Sequence, residues 1–292
     1  MEYAVVAGKI MPLPEEFRMA RAVRKTLTDK SRAARPEKDR RFVTALARGL
    51  DILRAFTPRH AVLGNNEISQ RARLPKPTVT RLTYTLTQLG YLGYSPESGK
   101  YFLSAGVLAL GYSFLASQDI RAIARPLMQE FAEYARATVC LAARDNPYMV
   151  FLEVCQGNPT FRMRLEVGAR VPYGMTALGR AYHCGLPEEE RAAMLEEHRK
   201  IGRKEDWEGF RASFEKAVRD YQKHGFCISL GEWNKDVYSV AVPLVSRDQS
   251  KILALTCAGP PFEMARNRIF EEIGPRLIQL RDRLSAATGG SF

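Results

Sequence analysis

Apolar residues recur at helical spacing near the start of the chain. Val43, Leu46, Leu50, Leu53 and Phe56 predict an amphipathic helix over 42–57 with that stripe turned inward. Asn65 or Asn66 can cap a second helix, carrying Ile68 and Ala72 four residues apart, and Arg73 and Leu74 make a turn. Pro75 and Pro77 bracket Lys76. A residue before proline is steered away from the α region, so Lys76 is expected as N-cap and Pro77 at the first helical position. Val79, Leu82, Leu86 and Leu89 then form one apolar stripe, and Gly90 stops the helix. Residues 91–94 and 100–103 read as strands around a turn at 96–99. The order helix, turn, helix, hairpin predicts a winged helix-turn-helix, whose second helix suits the major groove of DNA.

Residues 106–118 are apolar on two faces, through Val107, Leu108, Leu110, Phe114 and Leu115. They predict a helix that packs on a partner chain as well as on its own domain. Another helix follows over 119–137, with Pro126 near its start or at a kink. From residue 138 the rhythm changes. Strands are expected over 138–143, 148–154 and 161–166, then helices over 176–184, 188–200 and 207–224. Strands return over 226–230, 238–243 and 252–258, and a long helix closes over 264–287. This order predicts an α+β fold in two domains, the second built around one antiparallel sheet. The expected division is a basic flexible leader at 1–39, the winged helix at 40–104, linker and dimerisation helices at 105–137, and the sheet domain at 138–292. Within the leader, Phe17, Ala20 and Val23 could line a helix, but a solvated arm is the expectation.

A length of 292 residues allows two separate cores. The net charge of +12 is unevenly placed: residues 1–104 hold 19 Lys and Arg against 9 Asp and Glu, leaving 25 and 23 for the rest. Excess positive charge on the helix-turn-helix and its leader is the footprint of a DNA-binding module. Opposite the apolar stripe of the second helix lie Thr80, Arg81, Tyr84 and Gln88, suited to base edges, with Lys76, Thr78 and Thr85 beside them. Arg40 and Arg41 just before the first helix, Arg48 on it and Lys100 of the wing are candidates for backbone phosphates.

No apolar run approaches the length of a membrane span, and the N-terminus lacks a signal-peptide core. Five widely spaced cysteines (Cys140, Cys155, Cys184, Cys227, Cys257) suit reduced thiols in cytosol. His60, His183, His198 and His224 show no ligand spacing, so neither metal nor cofactor is expected. Without a Cys-x-x-Cys or a nucleophile elbow, an enzyme is not expected either. The alternative for the second domain is a thiol redox sensor.

Three segments together resemble the IclR family of bacterial transcriptional regulators. They are ARGLDILRAF (47–56) with the following EISQRARLPKPTVTRLTYTLTQLGYL, then VGARVPYGMTALGRAYH (167–183), then GFCISLGEWNKDVYSVAVPLV (225–245). The resemblance implies a GAF-like effector-binding domain for a small molecule, often an organic or aromatic acid of a catabolic pathway. It also implies a bacterial, nucleoid-associated regulator of a double-stranded DNA operator, working as a homodimer or a dimer of dimers. Positions matching the family's effector pocket are Val171, Ala177, Leu178, Ser229 and Ser239. Arg180 stands where the family usually has lysine, Gly174 where many members have histidine, and Pro77 where serine is usual. Physically, free N–H groups opening a helix at Ala177 and Leu178 could hold a carboxylate, and the two serines could donate hydroxyl hydrogen bonds. Arg144, Arg162 or Arg164 would favour an acid if turned inward. Tyr173, Phe161 and Trp233 suit either an aromatic pocket or the core.

Overall fold

The computed structural model describes residues 3–6, 9–12, 41–145, 147–157, 165–201 and 204–292. The chain divides at Ser117/Gln118: residues 35–117 form one unit, and residues 118–292 together with 1–34 the other. In the leader, β1 (Tyr3–Val6) and β2 (Lys9–Pro12) pair antiparallel. The helix expected around Phe17, and Arg40, lie outside the described residues.

The smaller unit runs α1 (Thr44–Ala55), β3 (Val62–Gly64), α2 (Asn65–Ala72), α3 (Lys76–Gln88), β4 (Leu92–Ser95), β5 (Lys100–Leu103) and α4 (Ala105–Ala116). The strands form an antiparallel sheet in the order β3-β5-β4. Ile52, Leu63, Ile68, Val79, Leu86 and Leu92 are among the residues that close its core. Gly64, not an asparagine, caps α2, and its N–H donates to Glu67 Oε2 at 2.8 Å. Pro75 is the N-cap of α3, so Lys76 already lies in the first turn, one residue earlier than the proline pattern suggests.

Two apolar stripes resolve differently from expectation. α1 buries Gly49, Ile52 and Ala55, while Val43, Leu46 and Leu50 stay exposed. The helix carries apolar residues on two sides, and α2 and α3 pack against it. Ile52 and Ala55 face those helices, which leaves the leucine side uncovered. On α3, Leu89 is exposed and Thr83 completes the buried stripe. Its hydroxyl donates to the Val79 carbonyl at 2.9 Å, so the buried polar group is satisfied.

The larger unit begins with α5 (Ile120–Ala135), which accommodates Pro126. Its sheet has six antiparallel strands in the order β8-β7-β6-β11-β10-β9: β6 (Thr138–Asp145), β7 (Tyr148–Gln156), β8 (Arg170–Pro172), β9 (Cys227–Leu230), β10 (Tyr238–Val245) and β11 (Ile252–Gly259). Between β8 and β9 come α6 (Ala177–Gly185), α7 (Glu188–Ile201) and α8 (Lys204–His224). A π-helical turn, Ile269–Ile273, leads into α9 (Gly274–Ala287). Cys140, Ala142, Met149, Phe151, Ala241 and Ala254 share a core cluster with residues of α6 and α8. Alternate residues such as Leu141, Val240, Val242 and Leu255 are buried too, and α5 and α9 pack against the same strands. Burial of successive strand residues means the sheet is covered on both faces. Of the strand expected over 161–166, residues 161–164 fall outside the described residues, and Leu165 and Glu166 belong to no strand.

The start of α5 is tied to the middle of the sheet. Glu153 of β7, its side chain 3% exposed, accepts from Arg121 at 3.0 Å and from Arg125 at 2.5 Å. Such partners offset the cost of taking a carboxylate out of water.

Candidate functional site

On α3, Lys76, Thr80, Arg81, Tyr84, Thr85 and Gln88 are exposed, and Thr78 is half-buried. Arg81, Tyr84 and Gln88 follow one another at i, i+3 and i+7, so they share a face away from the core. Thr80 is partly committed: its hydroxyl accepts from the Asn65 amide at 2.6 Å and donates to the Lys76 carbonyl at 3.1 Å. It therefore braces α2 against α3 more than it offers a free donor. Thr85 donates back to the Arg81 carbonyl at 3.1 Å. Lys100, at the start of β5, sits 3.7 Å from Glu67 of α2 rather than at the tip of the wing. Arg41, just before α1, is exposed, and Arg48 on α1 is half-buried. Behind this face, Arg73 turns the chain in the left-handed region (φ 54), and Arg71 Nε donates to the Ala55 carbonyl at 2.9 Å, fixing α2 on the end of α1.

In the larger unit, Val171, Ala177 and Leu178 are buried in one cluster at the start of α6. Thr176 caps that helix by accepting from Gly179 N at 3.2 Å. The N–H groups of Ala177 and Leu178, in the first turn, have no hydrogen-bond acceptor among the described residues. Gly179 permits the approach of the loop, because a Cβ there would lie 1.8 Å from the Tyr173 carbonyl oxygen. Ser229 and Ser239 stand opposite each other in the β9–β10 register. They point to the same face as Cys227 and Ala241, two residues along, which pack in the cluster with α6.

Ser229 is buried, and its hydroxyl lies 2.7 Å from Glu232 Oε2 and 3.4 Å from the Met175 carbonyl. Arg180 is also buried. Its Nη1 donates to the Ile228 carbonyl at 2.6 Å and to Glu232 Oε1 at 3.2 Å, and its Nε to Ser213 at 3.2 Å. Burial acts to raise the Glu232 carboxyl, but the Ser229 hydroxyl and Arg180 outweigh it and hold the group below its ordinary value. The arginine charge is thus neutralised within the wall, leaving Ser239, half-buried, with the helix N–H groups as the open donors.

Arg144 reaches Glu197 at 3.2 Å and lies 5.9 Å from the centre of the Tyr173 ring. Tyr173 is 1% exposed and stacks on Phe214 and His198. Trp233 packs against the same cluster. Arg162, Arg164 and Phe161 lie outside the described residues. Gly174 has a direct cause: a Cβ would fall 2.2 Å from the Phe210 ring, which occupies the space a larger residue would need. Among the described residues, no three His, Cys, Asp or Glu side chains gather as a metal site, and no helix is long and apolar enough to cross a membrane.

A model of the IclR C-terminal domain of bacterial transcriptional regulators matches residues 112–286, and one of the IclR helix-turn-helix domain matches 45–96. The chain belongs to the IclR family. It is a DNA-binding transcriptional regulator, as the resemblance read from its three segments implies. The HTH-type transcriptional regulator TsaQ1/TsaQ2 of Comamonas testosteroni is 33% identical over 248 residues, 84% of this chain and 88% of that protein. The crystal structure of an IclR family regulator from Brucella abortus aligns with a TM-score of 0.79 at 46% identity, covering 87% of this chain and 95% of that one. An IclR homolog from Microbacterium hydrocarbonoxydans, solved in complex with 4-hydroxybenzoate, aligns with a TM-score of 0.63 at 21% identity, covering 83% and 100%. That last likeness is one of fold. Within this IclR-family chain, sequence reading did not find the Glu232–Ser229–Arg180 lock. Ser229 lies in β9 and Glu232 in the loop just after it, three residues on, and Arg180 lies 52 residues from Glu232.

Proposed function

We propose that this regulator binds a small organic or aromatic acid at the start of α6 and reads its operator as a homodimer, or a dimer of dimers, in the bacterial cytoplasm. The observation that carries the effector reading is the pair of buried, unpartnered N–H groups at Ala177 and Leu178. Buried backbone donors without acceptors are rare, and a helix N-terminus favours a negative charge. Ser239 supplies a hydroxyl on the facing strand, and Val171 and Leu178 give apolar wall. An acid is favoured over a cation because the groups on offer at the helix start, two N–H groups and the Ser239 hydroxyl, are donors. In the Microbacterium protein the same fold is seen with an aromatic acid.

For DNA, the reading face is Arg81, Tyr84 and Gln88, with Lys76, Thr78, Arg41, Arg48 and Lys100 placed for the phosphates. A second copy is supported by two uncovered apolar faces in the smaller unit: Val43, Leu46 and Leu50 on α1, and Leu108, Tyr112 and Phe114 on α4, a helix with no buried residue. Exposed patches of this kind mark interaction surfaces.

The test is binding of the purified protein to its own upstream intergenic DNA across a salt series, with and without a panel of aromatic and aliphatic carboxylates. Affinity should fall steeply with salt, and one carboxylate should shift it. Binding that no carboxylate changes would refute the acid-effector reading while keeping the DNA role.

A further inference from the structure

Two thiols lie together in the larger unit. Cys184, near the end of α6, and Cys227, at the start of β9, bring their sulfurs to 3.6 Å. Cys184 also forms part of the wall of an open cavity of about 440 Å³, bounded by Leu186, Tyr221, Pro243 and Arg281. Cys227 lies behind it with no exposure, its sulfur 3.8 Å from the Ala217 carbonyl. One thiol at a cavity wall with a second in contact behind it is the arrangement of a reacting and a resolving cysteine. The other three thiols lie elsewhere. Burial pushes Cys155 up to about 11, Cys257 up to about 12 and Cys140 well above its ordinary value. None of them lines this cavity.

We propose that Cys184 and Cys227 form a redox-modification site for small hydroperoxides, which reach Cys184 through the cavity. The Cys184 sulfur attacks one peroxide oxygen, so that an S–O bond forms and the O–O bond breaks. The other oxygen leaves with the thiol proton, as water or an alcohol. The Cys227 sulfur then attacks the resulting sulfenic sulfur. An S–S bond forms, the S–O bond breaks, and the hydroxyl departs as water with the Cys227 proton. Two thiols lose two electrons, and one hydroperoxide gains them.

Hydrogen bonding to Cys184 and burial push the Cys227 thiol up, which makes it the less reactive of the two towards peroxide. Closure to a disulfide shortens the sulfur separation from 3.6 Å to about 2.05 Å and ties α6 to β9 covalently. These two elements carry Ala177, Leu178 and Ser229, so the new bond restrains the candidate effector positions relative to one another. This is a second input to the regulator and does not depend on which effector it binds.

The full-length reduced protein is treated with hydrogen peroxide, alkylated and mapped by peptide mass spectrometry. The expected product is a Cys184–Cys227 disulfide within one chain, reversed by dithiothreitol, with Cys140, Cys155 and Cys257 still alkylated. Cys227→Ser should instead leave a dimedone-reactive Cys184, and Cys184→Ser should leave Cys227 alkylated. The wild-type map decides even if a variant fails to fold. Five alkylated thiols after peroxide, a first oxidation at another cysteine, or a disulfide between chains would overturn the proposal. Each of those results leaves DNA binding untouched, because the readout is at sulfur.

Discussion

His183 shows how a single side chain couples burial to pH. It is 2% exposed on α6, with its ring 4.5 Å from Phe214. Burial, helped by Arg191 and His198, lowers its imidazole from 6.5 to about 4. Burial lowers His198 as well. The unfolded chain takes up a proton near 6.5, whereas the folded chain resists until about 4. Stability from His183 is therefore full above about 6.5 and is lost as pH falls towards 4, at no more than about 1.4 kcal/mol per pH unit. Urea unfolding between pH 7 and 4.5 should be less steeply pH-dependent in His183→Leu than in the wild type. Equal slopes would remove this role for His183. Nothing in the sequence marked this histidine as buried and neutral, because its environment comes from Phe214, 31 residues further on. The same is true of Arg180 and Glu232, whose partnership exists only once β9 has folded beside α6.

At the scale of elements, α3 separates specificity from attraction. In the proposed reading, Arg81, exposed in the middle of the helix, meets base edges, and Lys76 in the first turn meets a phosphate. Arg81→Ala should weaken operator binding by about 1–3 kcal/mol and relax sequence preference at one position. Lys76→Ala should weaken all duplexes alike and reduce the salt slope by about one. Electrophoretic or anisotropy titrations on the operator and on a scrambled duplex distinguish the two, and the same loss on both duplexes for Arg81→Ala would count against base reading. Most elements were legible because their periodicity is strong: the helix from 188, the closing helix, and the apolar runs of β6, β7, β10 and β11. The missed strands β3 and β8 are three residues each and β1 and β2 four each, too short for alternation to register. The inward face of α1 was misread because two apolar stripes compete on one helix, and only the position of α2 and α3 selects between them. The candidate effector positions came from family resemblance, and local pattern alone would not have joined Val171 to Ser239.

For the whole molecule, the leucines that α1 and α4 leave uncovered bear on assembly. Leu46→Lys combined with Leu108→Lys should give a single-chain mass of 32.9 kDa by sedimentation, where the wild type gives a multiple. Affinity for a two-half-site operator should fall by about a hundredfold as bivalency is lost, while urea stability changes little. A wild type that sediments as a single chain would exclude the paired-reader view. The division at Ser117/Gln118 has another consequence. α4 belongs with the reading head, while α5, four residues on, is held to the sheet through Arg121, Arg125 and Glu153. A recombination crossover in that short interval would carry away two intact cores. Lineages could thus exchange what a regulator senses without relearning which promoter it visits.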